Sequence, residues 1–383
     1  MTDGEVIAIH NLSKGLVKQG CEVHLLALNT QKHYSNYNNS TSELSHFASI
    51  RAIDINTEVK VIPALASLIK SRSYNIHRFV SDEYHEALSS ILTTITFDIV
   101  QLETLYLAPY ISTIRQNSKA KIVLRSHNVE SQIWHNLAQR HTGLKGWYLQ
   151  HCATMLKKYE QEVQGKYDLL VAITEEDAKY FKDRGETSPI KVVSVGLDME
   201  QYIGNPTSSK AIKIGFIGSL DWQPNLEGID WFLTKVWTKL KSELQDLEFH
   251  IAGRNMPNSI RDLNLPGVTV HGEVESAINF MNSMDLILVP LFSGSGVRVK
   301  ILEAMALGKI VLSTPKGFEG IGVSDSINAI VFNTEEQLIK KLMNIKYHDS
   351  ARLSLAAKAH IEEHFSSATL SRGLMDFYKK AIS

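Results

Sequence analysis

From residue 212 onward the sequence alternates short apolar runs with segments whose apolar residues recur every three or four positions. That alternation restricts the fold more than any other feature of the chain. Ile212–Ile217 reads as a strand stopped by Gly218. Residues 221–225 supply helix-capping side chains, with Pro224 near the helix start. Leu226, Ile229, Leu233, Val236 and Leu240 then form one apolar helical face. Further strands are expected at Leu247–Ala252, 268–270, 285–291, Ile310–Ser313 and 329–332, and helices at 277–284 and 335–345. Such a succession implies a parallel, doubly wound sheet that binds ligands at the carboxyl ends of its strands.

The first half alternates less regularly. Strands are expected at 23–28, Ile99–Leu102, 121–125 and 169–173, and helices at 6–18 and 147–164. Residues 29–46, rich in Asn, Ser, Thr and Tyr, read as a loop. A chain of 383 residues exceeds one ordinary core. The linker is expected at 196–210, which holds Gly204 and Pro206. It divides an N-terminal domain (1–195) from a C-terminal domain (211–360), followed by a closing helical region (361–383) able to pack back on the first domain. The expected class is α/β, with two Rossmann-like domains facing a central cleft. A Rossmann-like unit opens with a buried strand, whereas here helix 6–18 comes almost at once. We therefore expect Met1 to be an internal methionine of a longer natural protein.

Hydrophobic residues make up 44% of the chain and charged residues 21%, as in a water-soluble globular protein. A net charge of −1 removes any global electrostatic case for nucleic-acid binding. Two distant cysteines, Cys21 and Cys152, fit a reducing, cytoplasmic setting. No apolar run approaches the ~20 residues that span a bilayer, and the N-terminus lacks the form of a signal peptide. The Asn-x-Ser/Thr sites at Asn38 and Asn39 are accordingly expected to stay unglycosylated.

The richest chemical signal is FSGSGVRVKILEAMALG, residues 292–308. A Gly-Ser-Gly turn between strand and helix leaves backbone N–H groups unpaired, where the helix dipole adds positive potential. Arg298 and Lys300 add two cations. Glu303 is a lone carboxylate among apolar neighbours and needs partners, which the hydroxyls of a ribose would supply. Together these fit a nucleoside diphosphate. A weaker alternative pairs Lys300 with Glu303 at i, i+3, and glycine-rich turns before helices are common in α/β proteins.

Several ordered segments resemble the retaining GT-B glycosyltransferases of family 4, of the bacterial surface-polysaccharide type. They are LSKGLVKQGCEVHLLAL from Leu12, RSHNVESQIWHNLA from Arg125, YDLLVAITEEDAKYF from Tyr167, IGFIGSLDWQPNLEGIDWF from Ile214, FHIAGRNMP from Phe249, VHGEV from Val270 and SGSGVRVKILEAMALGKIVLST from Ser293. The resemblance implies transfer of a sugar from a nucleoside diphosphate sugar to an acceptor hydroxyl, with the anomeric configuration retained and no cofactor required. The C-terminal domain would hold the donor through Gly218, Gly294, Gly296, Val297, Lys300 and Glu303, with Glu303 gripping the ribose. The catalytic set would be His127, Ser295 and Arg298, and the acceptor side Gly4, Glu103 and Asn128. Ser295 stands where the family often has a glutamate, which puts the donor's identity in doubt. The turn after the first C-terminal strand, Gly218 to Asp221, lacks the family's basic pair, and Arg298 with Lys300 would replace that charge.

His127 also reads as a capping or packing histidine, and Glu103 as a helix-start residue. No Asp-x-Asp triplet occurs, so fixed cations are expected in place of a metal. His360, Glu363 and His364 match a zinc-protease spacing but read as surface helix residues, and Trp222 and Trp231 read as core. Trp147, Tyr148, His151, Lys157 and Lys158 leave peripheral contact with the inner face of a membrane open, attractive if the acceptor is a lipid-linked sugar. The competing readings are a nucleotide-sugar epimerase of the same fold and a catalytically weak sugar-nucleotide-binding subunit.

Overall fold

The computed structural model describes residues 4–31, 34, 44–58, 73–204, 212–294, 296–344 and 347–383. Ser295 and most of the expected loop at 29–46 and linker tail at 205–210 lie outside the described residues. The chain divides into two units, Met1–Ser194 with Leu370–Ser383, and Val195–Thr369.

In the first unit, helix α1 (Gly4–Lys18) leads to β1 (His24–Thr30), which pairs in parallel with β2 (Ser49–Ile55). After α2 (Asp82–Thr94) come β3 (Ile99–Leu102), α3 (Ile111–Asn117) and β4 (Lys121–Ser126). The helical hairpin α4 (Glu130–Gln139) and α5 (Gly143–Val163) follows, then β5 (Leu169–Ala172), α6 (Glu175–Lys182) and β6 (Ile190–Val192). Strands β3 to β6 form a parallel sheet in sequence order, separate from the β1–β2 pair among the described residues. β5 is buried throughout, as its unbroken LLVA run requires.

The second unit has β7 (Ile212–Ile217), a helix from Gln223 to Glu243, β8 (Leu247–Ala252), β9 (Val268–Gly272), α9 (Ala277–Asn282) and β10 (Leu286–Val289). The helix from Gln223 consists of α7 (Gln223–Trp231), a π turn (Phe232–Trp237) and α8 (Thr238–Glu243). α10 (Val299–Ala306), β11 (Ile310–Ser313), β12 (Ile330–Val331), α11 (Glu335–Asn344) and α12 (Tyr347–Phe365) complete it. All six strands are parallel, in the order β12-β11-β10-β7-β8-β9. From β7 the chain fills one side of the sheet and then the other, so β7 and β10 flank the point where strand order reverses. That is the position where open α/β sheets form a ligand crevice. The apolar face expected on the long helix is buried at Ile229, Leu233, Val236 and Leu240, packed on strand residues such as Phe216, Phe249 and Leu288.

The final helix, α13 (Ser367–Ile382), crosses back to the first unit. Its Leu374 and Tyr378 are buried with Leu12, Val123, Leu169, Val171 and Val193.

Some expectations need correction. The strand at 285–291 is only Leu286–Val289, because Pro290 has no N–H for the ladder. Trp222 is not core: it is 37% exposed. Trp231, by contrast, packs against the core as expected, half-buried and stacked on Phe332. His360 is half-buried rather than a free surface residue, with Nε2 2.8 Å from the Ile321 carbonyl oxygen. No group of three or more His, Cys, Asp or Glu able to hold a metal occurs among the described residues.

The second turn of α7 reaches the end of β10 only because residue 228 is glycine. A Cβ there would lie 2.0 Å from the Pro290 carbonyl oxygen. Gly228→Ala is expected to cost about 1–3 kcal/mol through overpacking, read as a lowered urea midpoint. An unchanged midpoint would show that the helix can withdraw freely.

Candidate functional site

The candidate site of the second unit draws on three segments. Gly218 follows β7, residues 290–294 and 296–298 lie between β10 and α10, and the chain before β7 supplies Tyr202. Arg298 caps α10 in an extended conformation, and Lys300 and Glu303 follow on its first two turns.

Lys300 is half-buried, and its Nζ donates to Asn225 Oδ1 at 2.9 Å and lies 4.5 Å from the Phe216 ring centroid. Burial and the nearby Arg298 charge pull its ammonium down to about 7. A Cβ on Gly218 would sit 3.0 Å from Nζ and 2.8 Å from the Asn225 amide nitrogen, so glycine here leaves the room that both side-chain ends occupy. Lys300 therefore fills the side of the β7 turn that lacks a basic residue of its own. The alternative Lys300–Glu303 pair does not form. Glu303 Oε1 instead accepts from the Tyr202 hydroxyl at 3.1 Å. Burial raises the Glu303 carboxyl and Tyr202's hydrogen bond opposes it. Tyr202 is itself raised, first by burial and then by the Glu303 charge.

Arg298 Nη1 donates to the Gly296 carbonyl oxygen at 2.8 Å, and its guanidinium lies 5.4 Å from the Trp222 ring centroid. Burial lowers Arg298 while the Glu319 charge opposes this, and an arginine remains cationic regardless. Gly294 has φ 100° and would press a Cβ to 2.9 Å from Trp222, so the turn depends on glycine there. Val297 is half-buried at the same turn. The structure thus brings Gly218, Gly294, Gly296, Lys300 and Arg298 to one edge, with Glu303 one turn further along α10. Asn225, Tyr202 and Trp222 escaped the sequence reading as site residues.

In the first unit, Glu103 follows β3 and is no helix-start residue. Its Oε2 accepts from Arg125 Nη1 at 3.2 Å and from His127 Nε2 at 2.9 Å. Its Oε1 accepts from Gln101 Nε2, whose Oε1 in turn accepts from the Tyr378 hydroxyl on α13. Burial pushes the Glu103 carboxyl up, but the Arg125 charge and the His127 hydrogen bond outweigh it and leave it at about 2. Asn128 lies beside this cluster in sequence, and its carbonyl accepts from Ser126 Oγ at 2.7 Å. Gly4 is the first residue of α1.

The sequence matches a glycosyltransferase family 4 model over residues 2–201, more than half of the chain. The chain belongs to glycosyltransferase family 4. Residues 211–345 of this family 4 glycosyltransferase also match the model for group 1 glycosyl transferases. It is 25% identical over 287 residues, 71% of each chain, to an uncharacterized 44.6 kDa protein of the cps region of Klebsiella pneumoniae. Anabaena HepE, solved with UDP-glucose, superposes with a TM-score of 0.66 at 14% identity, covering 99% of this chain and 96% of that one. Sucrose-phosphate synthase from Thermosynechococcus elongatus gives 0.67 at 12% identity, over 96% and 91%. The fold is GT-B, with two Rossmann-like domains. No described helix is long and apolar enough to cross a membrane.

Lys300 makes the stability of the protein depend on pH in a defined direction. Its folded value of about 7 lies below its ordinary value. Between the two the unfolded chain binds the extra proton, so this group's contribution to stability rises with pH, and its full burial cost is present below about 7. Lys300→Met is expected to be more stable than the parent at about pH 6, and the difference should shrink by about pH 9 in urea unfolding. A pH-independent difference would contradict the burial of this ammonium.

Proposed function

We propose that this glycosyltransferase moves a sugar from a nucleoside diphosphate sugar to an acceptor hydroxyl, with retention of anomeric configuration and without a divalent metal. The observation that carries the reading is the gathering of Lys300, Arg298 and two glycine turns where the strand order of the second unit reverses. Negative charge grows on the β-phosphate as the sugar–phosphate bond breaks, and fixed cations with helix N–H groups stabilise it there. Glu303, directed by Tyr202, holds the ribose hydroxyls. Gly218, Gly294, Gly296 and Val297 let the diphosphate approach the backbone, and Ser295 together with Arg298 contacts the transferred sugar. His127 serves the reacting centre, and Glu103, Asn128 and Gly4 belong to the acceptor side.

HepE, solved with UDP-glucose, supports a uridine nucleotide as the donor carrier. The relative from the cps region supports a surface polysaccharide as the product. Such an acceptor would be a glycan or a lipid-linked sugar, met at the inner face of the membrane by a protein in peripheral contact.

Thermal-shift titration with UDP-, GDP-, ADP- and TDP-sugars is expected to single out one nucleotide. Glu303→Ala should abolish that stabilisation while the unliganded melting temperature is kept. Unchanged nucleotide affinity in the variant would remove the ribose role, and NMR of the product's anomeric proton decides retention. A bound diphosphate favours the ammonium form of Lys300. At a pH about one unit above its value of about 7, donor binding should therefore draw in a proton. Calorimetry in buffers of different ionisation enthalpy measures that uptake, and Lys300→Arg should lose it.

A further inference from the structure

The side chains behind His127 fix more than its position. Glu103 is an ionised carboxylate and can only accept hydrogen bonds. His127 Nε2, 2.9 Å from Glu103 Oε2, must therefore carry a hydrogen. Gln101 must turn its amide nitrogen toward Glu103 Oε1, which leaves its carbonyl oxygen for the Tyr378 hydroxyl to donate to. One charged group thus sets the direction of every hydrogen bond in a chain from α13 to the histidine.

In the neutral ring the other nitrogen is then an acceptor. Arg125, with no exposed surface, donates to the same carboxylate oxygen at 3.2 Å and balances its charge. Nδ1 then carries a lone pair, and it has no hydrogen-bond partner among the described residues.

We propose that Glu103 holds His127 in its Nε2–H form, with Gln101 and Tyr378 as positioning residues that keep the carboxylate on that nitrogen, so that Nδ1 accepts a hydrogen bond from a sugar hydroxyl. The ligand assignment rests on the glycosyltransferase reading above, and the tautomer does not. His127 is then an acceptor at the site and cannot polarise an oxygen by donating to it. The C-terminal helix, far from this histidine in sequence, becomes part of the site's chemistry.

The obvious variant, at Glu103, would strand a buried guanidinium, a loss of the kind that unfolds domains. Tyr378→Phe keeps the packing and removes only the hydroxyl, and Gln101→Met breaks the same chain without touching α13. Long-range 15N–1H NMR of the imidazole in the full-length, unliganded protein reads the tautomer. The parent should show Nε2–H alone near neutral pH, and both variants should show a mixture with Nδ1–H. With the donor that the thermal-shift screen selects, both should lower kcat by about tenfold or more, the scale on which outer partners of a histidine act. Their nucleotide-induced thermal shift should stay at the parent's size, which a general loss of folding would not allow. A parent ring that is Nδ1–H or doubly protonated overturns the proposal, as does a tautomer unchanged in both variants. A parent in the Nε2–H form with no sugar transfer from any donor would instead remove the glycosyltransferase substrate reading and leave the tautomer relay intact.

Discussion

Parallel strands buried on both faces tolerate almost no polar side chains along their length, and the rest of the second unit follows from that. Its polar chemistry is displaced to the carboxyl edge, where chains leave the sheet and α10 begins. The order β12-β11-β10-β7-β8-β9 opens that edge between β7 and β10. Gly228 brings the long helix close behind it, and Gly218 leaves room for Lys300 in front.

The two clusters handle charge in opposite ways. Lys300 rests on the neutral Asn225, and Glu303 on the neutral Tyr202. Neither support carries a charge of its own, which leaves pairing to an oppositely charged or hydroxyl-bearing ligand. In the first unit the Glu103 carboxylate is matched by Arg125. What that cluster presents is hydrogen-bond polarity rather than charge. Such a division suits a phosphate-rich carrier on one unit and uncharged hydroxyls on the other.

Legibility in the sequence followed burial. Ile310–Ser313 was readable to the residue because an unbroken apolar run has no other use in such a fold. β2, by contrast, was missed, since SIRAIDI buries only one of its seven residues and mimics an exposed segment. β6 was missed because three half-buried residues carry no period at all. At the site, the cations and the carboxylate of α10 stood out through their spacing and the resemblance. Their supports did not: Tyr202 and Glu303 are 101 positions apart, and Asn225 and Lys300 are 75 apart. The link between Tyr378 and Gln101 spans 277 positions, and no local pattern encodes a contact of that range.

The return of α13 to the first unit makes that unit discontinuous along the chain, with the whole of the second unit inserted in its sequence. Synthesis runs from the N-terminus, and domains fold as units while it proceeds. The inserted unit is complete on the ribosome before its host, and the first unit waits for residues translated after the whole of the second. Until they emerge, the apolar surface of Leu12, Val123 and Val171 that α13 covers stays open to solvent or chaperones. A chain stalled before α13 would carry the segments at 125–138 and 293–314 without the helix that covers Leu12, Val123 and Val171.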